Sequence, residues 1–178
     1  VDDARLRRVI ERVAAVSEYG KTLPERRGRG FACTEYHGTY VAQVAEVEVS
    51  VSGAVRVLRM WCVIDPGLVV NPDGVRNQVE GGIQQSASWT LLEELRHKGG
   101  RVATTSWDTY PIATFRDAPE SIEVFVEGDD GAPSTGVGEP GAVPTAAAIA
   151  NAVFAACGAR VRDVPLTRER VRKAMTDR

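Results

Sequence analysis

The chain is short of the residues on which several common site chemistries depend. Only three of its 178 residues are cysteine, Cys33, Cys62 and Cys157, and no two form a Cys-x-x-Cys pair. Structural zinc and iron–sulfur clusters need grouped thiolates, so neither is expected on this chain. Each cysteine is expected instead to be a small buried apolar residue. There are two histidines, His37 and His97, and both stand alone. No Ser-His-Asp ordering and no phosphate-loop signature is present. Net charge is −2, which gives nucleic acid or an anionic membrane little to hold. No apolar run approaches the length of a membrane span. There is no signal peptide either. The chain begins Val1-Asp2-Asp3 without methionine, so it reads as a piece of something longer, and its missing leader carries no information about compartment. Cytoplasmic and exported locations both stay open.

What is present suits one domain with a substantial core. Apolar residues make up 43% and charged residues 26%. Leu6, Val9, Ile10, Val13 and Val16 recur at helical spacing, which predicts an amphipathic helix over residues 2–19 capped by Asp2 or Asp3. Residues 21–30 read as a basic connector containing Pro24, Gly28 and Gly30, with Arg26, Arg27 and Arg29 solvated. A strand is predicted at 31–36. Residues 40–51 and 54–64 then form two long strands around the Ser52-Gly53 turn, a β-hairpin long enough to be the central pair of a sheet. Asn71 and Pro72 suit the cap and first residue of a helix predicted to run to Leu95 and to end at Gly99-Gly100. Gly81 and Gly82 lie inside it. Such a pair weakens a helix and is tolerated where a backbone or a ligand comes close, and a helix–helix contact reads equally well. A short strand at 101–106, an irregular stretch at 108–118 and a strand at 121–126 follow. A second glycine-tuned helix is predicted over 144–157, with Pro144 as its first residue and Gly158 as its stop, and a short charged helix over 167–175.

Before the 144–157 helix stands Gly136-Val137-Gly138-Glu139-Pro140-Gly141. A glycine loop opening onto a helix start offers free N–H groups, and Glu139 has no bulky neighbour to keep another molecule away. By itself this pattern most often marks a surface turn.

Two segments together are more specific. The run from Asp65 to Gly82 (DPGLVVNPDGVRNQVEGG) and the run from Gly136 to Val153 (GVGEPGAVPTAAAIANAV) resemble signatures of the molybdenum hydroxylases, the xanthine oxidase/aldehyde oxidoreductase family. The order, the spacing and the flanking Trp107–Pro111 and Arg116–Pro119 motifs match as well. The likeness covers about residues 28–170 and is nearest to the C-terminal part of isoquinoline 1-oxidoreductase beta-subunit-like members. It departs at Ser86, where many members have glycine.

The resemblance implies that residues 1–178 are a single C-terminal fragment of a molybdopterin-binding large subunit. Residues 1–27 would be an N-terminal helix and connector, and residues 28–178 the cofactor-binding core. It implies a molybdopterin cofactor carrying molybdenum in the intact enzyme, commonly as the cytosine dinucleotide, with no side chain on the metal. Glu139 matches the family's catalytic base and Gln78 a glutamine that hydrogen-bonds the cofactor. Gly81, Gly82, Gly136, Val137 and Gly138 would let the cofactor approach. The implied reaction oxidises aldehydes or N-heteroaromatics with oxygen derived from water, and a carboxylate within about 3 Å can take the proton released. The implied partners are the remaining large-subunit domains and an iron–sulfur small subunit. The isolated fragment is expected to be inactive and to lack tightly bound cofactor. The rival expectation is a non-catalytic interaction or assembly domain derived from this family. The expected fold is α+β: a mixed, mainly antiparallel sheet built on the 40–64 hairpin and covered by two or three helices.

Overall fold

The computed structural model describes residues 2–177. The elements in chain order are α1 (Ala4–Val16), β1 (Arg27–Tyr36), β2 (Thr39–Val49), β3 (Val55–Asp65), α2 (Pro72–Leu91), β4 (His97–Lys98), β5 (Arg101–Val102), β6 (Ser121–Val126), α3 (Thr145–Cys157) and α4 (Arg168–Thr176). The main sheet has the order β1-β2-β3-β6, so the predicted hairpin is indeed its centre. β1–β2 and β2–β3 are antiparallel, and β6 runs parallel to β3. The mixed, mainly antiparallel α+β architecture is as expected.

Both faces of the sheet are covered. Val41, Ala45, Met60, Cys62 and Ile64 point to one face and pack with Val79 and Ile83 of α2 and Ile149 and Val153 of α3. Ala42, Val44, Trp61 and Val63 point to the other and meet Val9 and Val13 of α1. This is why residues 41–45 of β2, Gln43 excepted, and 60–64 of β3 are apolar without alternation, as strand segments buried on both sides must be. Burial pushes the Cys62 thiol up to about 12, only partly offset by the Gln43 amide beside it, so it is a neutral packing group. Cys33 corrects the expectation of a buried thiol. It is exposed, because α1 lies over β2 and β3 and leaves its part of β1 uncovered.

Several boundaries differ from those predicted. β1 begins at Arg27, not Phe31, so Arg27 and Arg29 belong to a strand rather than a connector, Arg27 still exposed and Arg29 largely buried. They stand opposite Glu48 and Glu46 in the β1–β2 register and pair with them at 2.9 and 2.7 Å. The glycines that suggested a loop are there because α3 crosses β1 so closely. A Cβ on Gly28 or Gly30 would lie 2.3 or 2.0 Å from the α3 backbone. α2 ends at Leu91, not Leu95. The Thr90 carbonyl that would continue it accepts the Leu166 N–H at 2.6 Å instead. Gly99 and Gly100, with φ of 58° and 73°, form the turn between β4 and β5 rather than a helix stop, and the predicted 101–106 strand shrinks to β5. Pro144 is the residue before α3, not its first.

One buried charge anchors α1. The Asp65 carboxylate, fully buried at the end of β3, accepts from Arg5 at 2.7 Å, Arg8 at 2.6 Å and the Gly67 N–H at 3.0 Å. Burial alone would raise its pKa, but Arg5, the Gly67 N–H and Arg8 together outweigh that and hold it below the ordinary aspartate value. A carboxylate whose pKa is depressed on folding stabilises the fold above its unfolded pKa of about 4 and loses that contribution as pH falls through the folded value. Stability should therefore decline below about pH 4. Asp65→Asn should remove most of this acid sensitivity and cost about 1–3 kcal/mol at neutral pH, since both arginines keep partial access to water. Urea melts of both proteins at pH 7 and pH 3.5 check this.

Candidate functional site

The loop of residues 135–141 crosses the end of the sheet and runs into α3. Three sets of bonds fix its course. At its start, Thr39 of β2 donates to the Gly136 carbonyl at 2.7 Å and contacts the Thr135 hydroxyl, while Thr135 bonds the Pro66 carbonyl through both N–H and hydroxyl, at 2.9 and 2.8 Å. At its end, the fully buried Gln43 donates from Nε2 to the Gly141 carbonyl at 2.6 Å. Gln43 Oε1 accepts from the Thr145 hydroxyl at 2.8 Å, so both ends of the amide are satisfied inside the core. Ser86 of α2 adds a bond to the Ala142 carbonyl at 3.1 Å, which gives the departure at this position a role in holding the loop. Gly141 sits against α2 so tightly that a Cβ there would meet Val79 Cα at 3.0 Å.

The middle of the loop is held by two long-range contacts. Gln78, on the second turn of α2, donates from Nε2 to the Gly138 carbonyl at 3.0 Å. Tyr36, the last residue of β1, donates its phenol to Glu139 Oε2 at 2.5 Å. That bond to a charged acceptor holds the Tyr36 phenol above the ordinary tyrosine pKa, with the Glu139 charge adding to the effect. Gln78 and Glu139, far apart in the chain, thus stand side by side, and both are exposed.

The Val137 side chain packs against the core and Pro140 is buried, while backbone groups of residues 136–139 stay open. Among the described residues, the N–H groups of Gly136, Val137, Gly138 and Glu139 have no hydrogen-bond partner. A peptide's N–H points opposite to the carbonyl before it. Pinning the Gly136 and Gly138 carbonyls to Thr39 and Gln78 therefore turns the Val137 and Glu139 N–H groups away from the sheet and from α2. Gly136, Gly138 and Gly81 each have open space where a Cβ would stand. Gly82 does not, since it lies within ordinary contact distance of Ala142. Of the glycine pair in α2, Gly81 is thus available to a ligand and Gly82 serves helix-to-loop packing. Successive unpaired N–H groups beside a carboxylate can receive an anionic or carbonyl-bearing molecule and place it within reach of a base. No group of three or more His, Cys, Asp or Glu side chains among the described residues could hold a metal ion directly.

Tyr36, Thr39, Gln43 and Thr145 were not singled out from sequence. Gln43 left one trace: an amide inside the apolar run from Val41 to Val47, at a position that alternation turns toward the core. Tyr36 left none, because its contact spans 103 positions.

The sequence profile of the molybdopterin cofactor-binding domain matches residues 6–119, which include Gln78, Gly81 and Gly82 and stop short of the Glu139 loop. One of the subunits of nicotinate dehydrogenase from Pseudomonas putida is 39% identical over 94% of this chain and 16% of its own length. The beta subunit of isoquinoline 1-oxidoreductase from Brevundimonas diminuta is 32% identical over 89% of this chain and 20% of its own. Among solved structures, quinoline 2-oxidoreductase from Pseudomonas putida 86 superposes with a TM-score of 0.70 at 30% identity, over 79% of this chain and 19% of that one. The aldehyde oxidoreductase of Desulfovibrio desulfuricans gives 0.68 at 32% identity, over 77% and 15%. The chain therefore spans about a fifth or less of the proteins it matches. With a family profile over well more than half its length, and with relatives alike in both sequence and fold, the chain belongs to the molybdenum hydroxylase family, within its molybdopterin cofactor-binding domain.

Proposed function

We propose that this chain forms one wall of the cofactor site of a molybdenum hydroxylase, and that Glu139 is the base in the hydroxylation of an aldehyde or N-heteroaromatic carbon. The observation that carries the reading is the juxtaposition at the 135–141 loop. Unpaired N–H groups at 136–139, open space over Gly81, Gly136 and Gly138, and the exposed Glu139 carboxylate stand together beside Gln78. These features fit a large polar cofactor lying over the loop. Gln78, Gly81, Gly136, Val137 and Gly138 would hold it, with Gly82 setting the distance between α2 and the loop. The free N–H groups also suit the phosphates of a cytosine dinucleotide form.

When bound, the cofactor would supply an electron acceptor and acidify the water that provides the oxygen. This chain's residues do the rest. Gln78 fixes the Gly138 carbonyl and so the direction of the Glu139 backbone. The Glu139 carboxylate takes the proton released as the new C–O bond forms. Large-subunit domains beyond this chain would close the opposite wall, and an iron–sulfur subunit would carry the electrons away. Trp107, Ile112 and Phe115 are 77%, 49% and 98% exposed on the irregular stretch before β6. Apolar side chains so placed suit burial against such a domain.

Molybdenum and pterin analysis tests the reading. Gln78→Leu in the full-length enzyme should lower cofactor content about tenfold, the effect of losing a hydrogen-bonding amide from the site. The chain purified alone should hold almost none, because one wall does not enclose a large ligand. Stoichiometric molybdenum in the chain alone, or full loading of the Gln78→Leu enzyme, would overturn the assignment of these residues.

A further inference from the structure

We propose that Tyr36 is a positioning residue for the Glu139 carboxylate, holding Oε2 so that Oε1 is the atom that accepts the proton. The proposal rests on the reading of Glu139 as the base. A glutamate on a glycine-flanked loop has three side-chain torsions and can point in many directions, so a base in this position needs something to fix it. The Glu139 backbone is fixed through Gln78 and Thr39, but that leaves the carboxylate itself free to rotate.

Tyr36 supplies the missing constraint, and the fold delivers it rigidly. It is the final residue of β1 and pairs with Thr39 across a two-residue turn. His37 and Gly38 in that turn have φ of 51° and 83°, the left-handed pair that closes a tight hairpin. The Gly38 N–H is tied to the Glu35 carboxylate at 2.6 Å, and the edge of the Tyr36–His37 ring pair packs at 4.5 Å between centroids. Two residues of this one hairpin tip then grip the loop at both sides of its exposed segment: Thr39 at the Gly136 carbonyl and Tyr36 at Glu139. A phenol carried on so short a turn cannot follow a wandering carboxylate. It sets where the carboxylate is.

The contact also distinguishes the two oxygens. Oε2 lies 2.5 Å from the phenol oxygen, the distance of a charge-assisted O–H···O bond. Oε1 has no partner among the described residues. A carboxylate oxygen already receiving a short hydrogen bond is the weaker proton acceptor of the two, so the proton goes to Oε1. The phenol stays protonated and remains a donor through the neutral range, since the same bond moves its own ionisation upward.

Two measurements test this. In the full-length enzyme, Tyr36→Phe removes only the hydroxyl. Molybdenum and pterin content and KM should stay near wild type, and kcat should fall about tenfold, the effect of one hydrogen bond to a charged group. In the chain itself, NMR of ring-labelled tyrosine should show the Tyr36 phenol ionising at lower pH in Glu139→Gln than in wild type, with Tyr36→Phe identifying the resonance. Wild-type kcat in Tyr36→Phe beside a failed Glu139→Gln enzyme would overturn the role of Tyr36 and leave Glu139 as the base. Loss of cofactor together with activity would make Tyr36 part of the binding wall and overturn the positioning role. An unchanged Tyr36 ionisation in Glu139→Gln would show that the two groups do not meet. An active Glu139→Gln enzyme would remove both readings at once.

Discussion

Glu139→Gln in the full-length enzyme is expected to turn over about 10²–10⁴-fold more slowly than wild type while retaining its molybdenum and pterin. The substitution is nearly isosteric, and the structure indicates why it should leave the loop in place. Most of the contacts that shape the loop run through the Gly136, Gly138 and Gly141 carbonyls and the Thr135 and Thr145 side chains, and the Glu139 side chain adds only the bond from Tyr36. A glutamine at this position can still accept the Tyr36 hydroxyl. What it cannot do is take a proton at neutral pH. The loss should therefore appear in kcat and in kcat/KM equally, the mark of an interaction made only in the transition state. Steady-state kinetics beside metal analysis would decide it. A fully loaded variant turning over at the wild-type rate would show that Glu139 is not the base. A variant without molybdenum would place Glu139 among the groups that retain the cofactor instead.

How much of this was legible in the sequence depends on whether the cause was local. The β2–β3 hairpin was, because Val47 and Val49 alternate with Glu46 and Glu48 and the Ser52-Gly53 turn separates two β-branched runs. The start of α2 was, because the Asn71 cap and Pro72 act on their own turn. The start of β1 was not. Gly28 and Gly30 weaken a strand when judged by propensity, and the reason for them is a helix more than a hundred residues later. The end of α2 was hidden for a similar reason, since Leu166 takes the carbonyl that another turn would use. The site divides in the same way. Glu139 among glycines could be noticed, and Gln78 could be paired with it only through resemblance to a family. Their neighbours Tyr36 and Gln43 owe their roles to the sheet register, which brings β1 and β2 under the loop.

The close crossing of β1 and α3 carries the other large expected effect. Gly30→Ala should destabilise the chain by about 3 kcal/mol or more, a large part of the roughly 5–15 kcal/mol typical of a whole domain. The alanine methyl would stand 2.0 Å from the Ala152 nitrogen, 2.1 Å from the Ala148 oxygen and 2.6 Å from the Asn151 carbonyl carbon. All three are backbone atoms, so no side-chain rotation relieves the overlap and α3 must retreat by more than an ångström. That retreat would pull Ile149 and Val153 out of register with the sheet and draw Thr145 away from Gln43, loosening the Glu139 loop from its far end. Gly81→Ala is the matched control. A methyl there meets nothing within 4 Å and lies inside a helix, so the chain should gain about 0.5–1 kcal/mol. In the full-length enzyme the same methyl would stand where the cofactor is proposed to approach, and molybdenum content should fall although the fold is firmer. Urea denaturation followed by tryptophan fluorescence reads both stability changes. A Gly30→Ala chain as stable as wild type would show that α3 does not rest directly on β1, and the support assigned to the loop would fall with it.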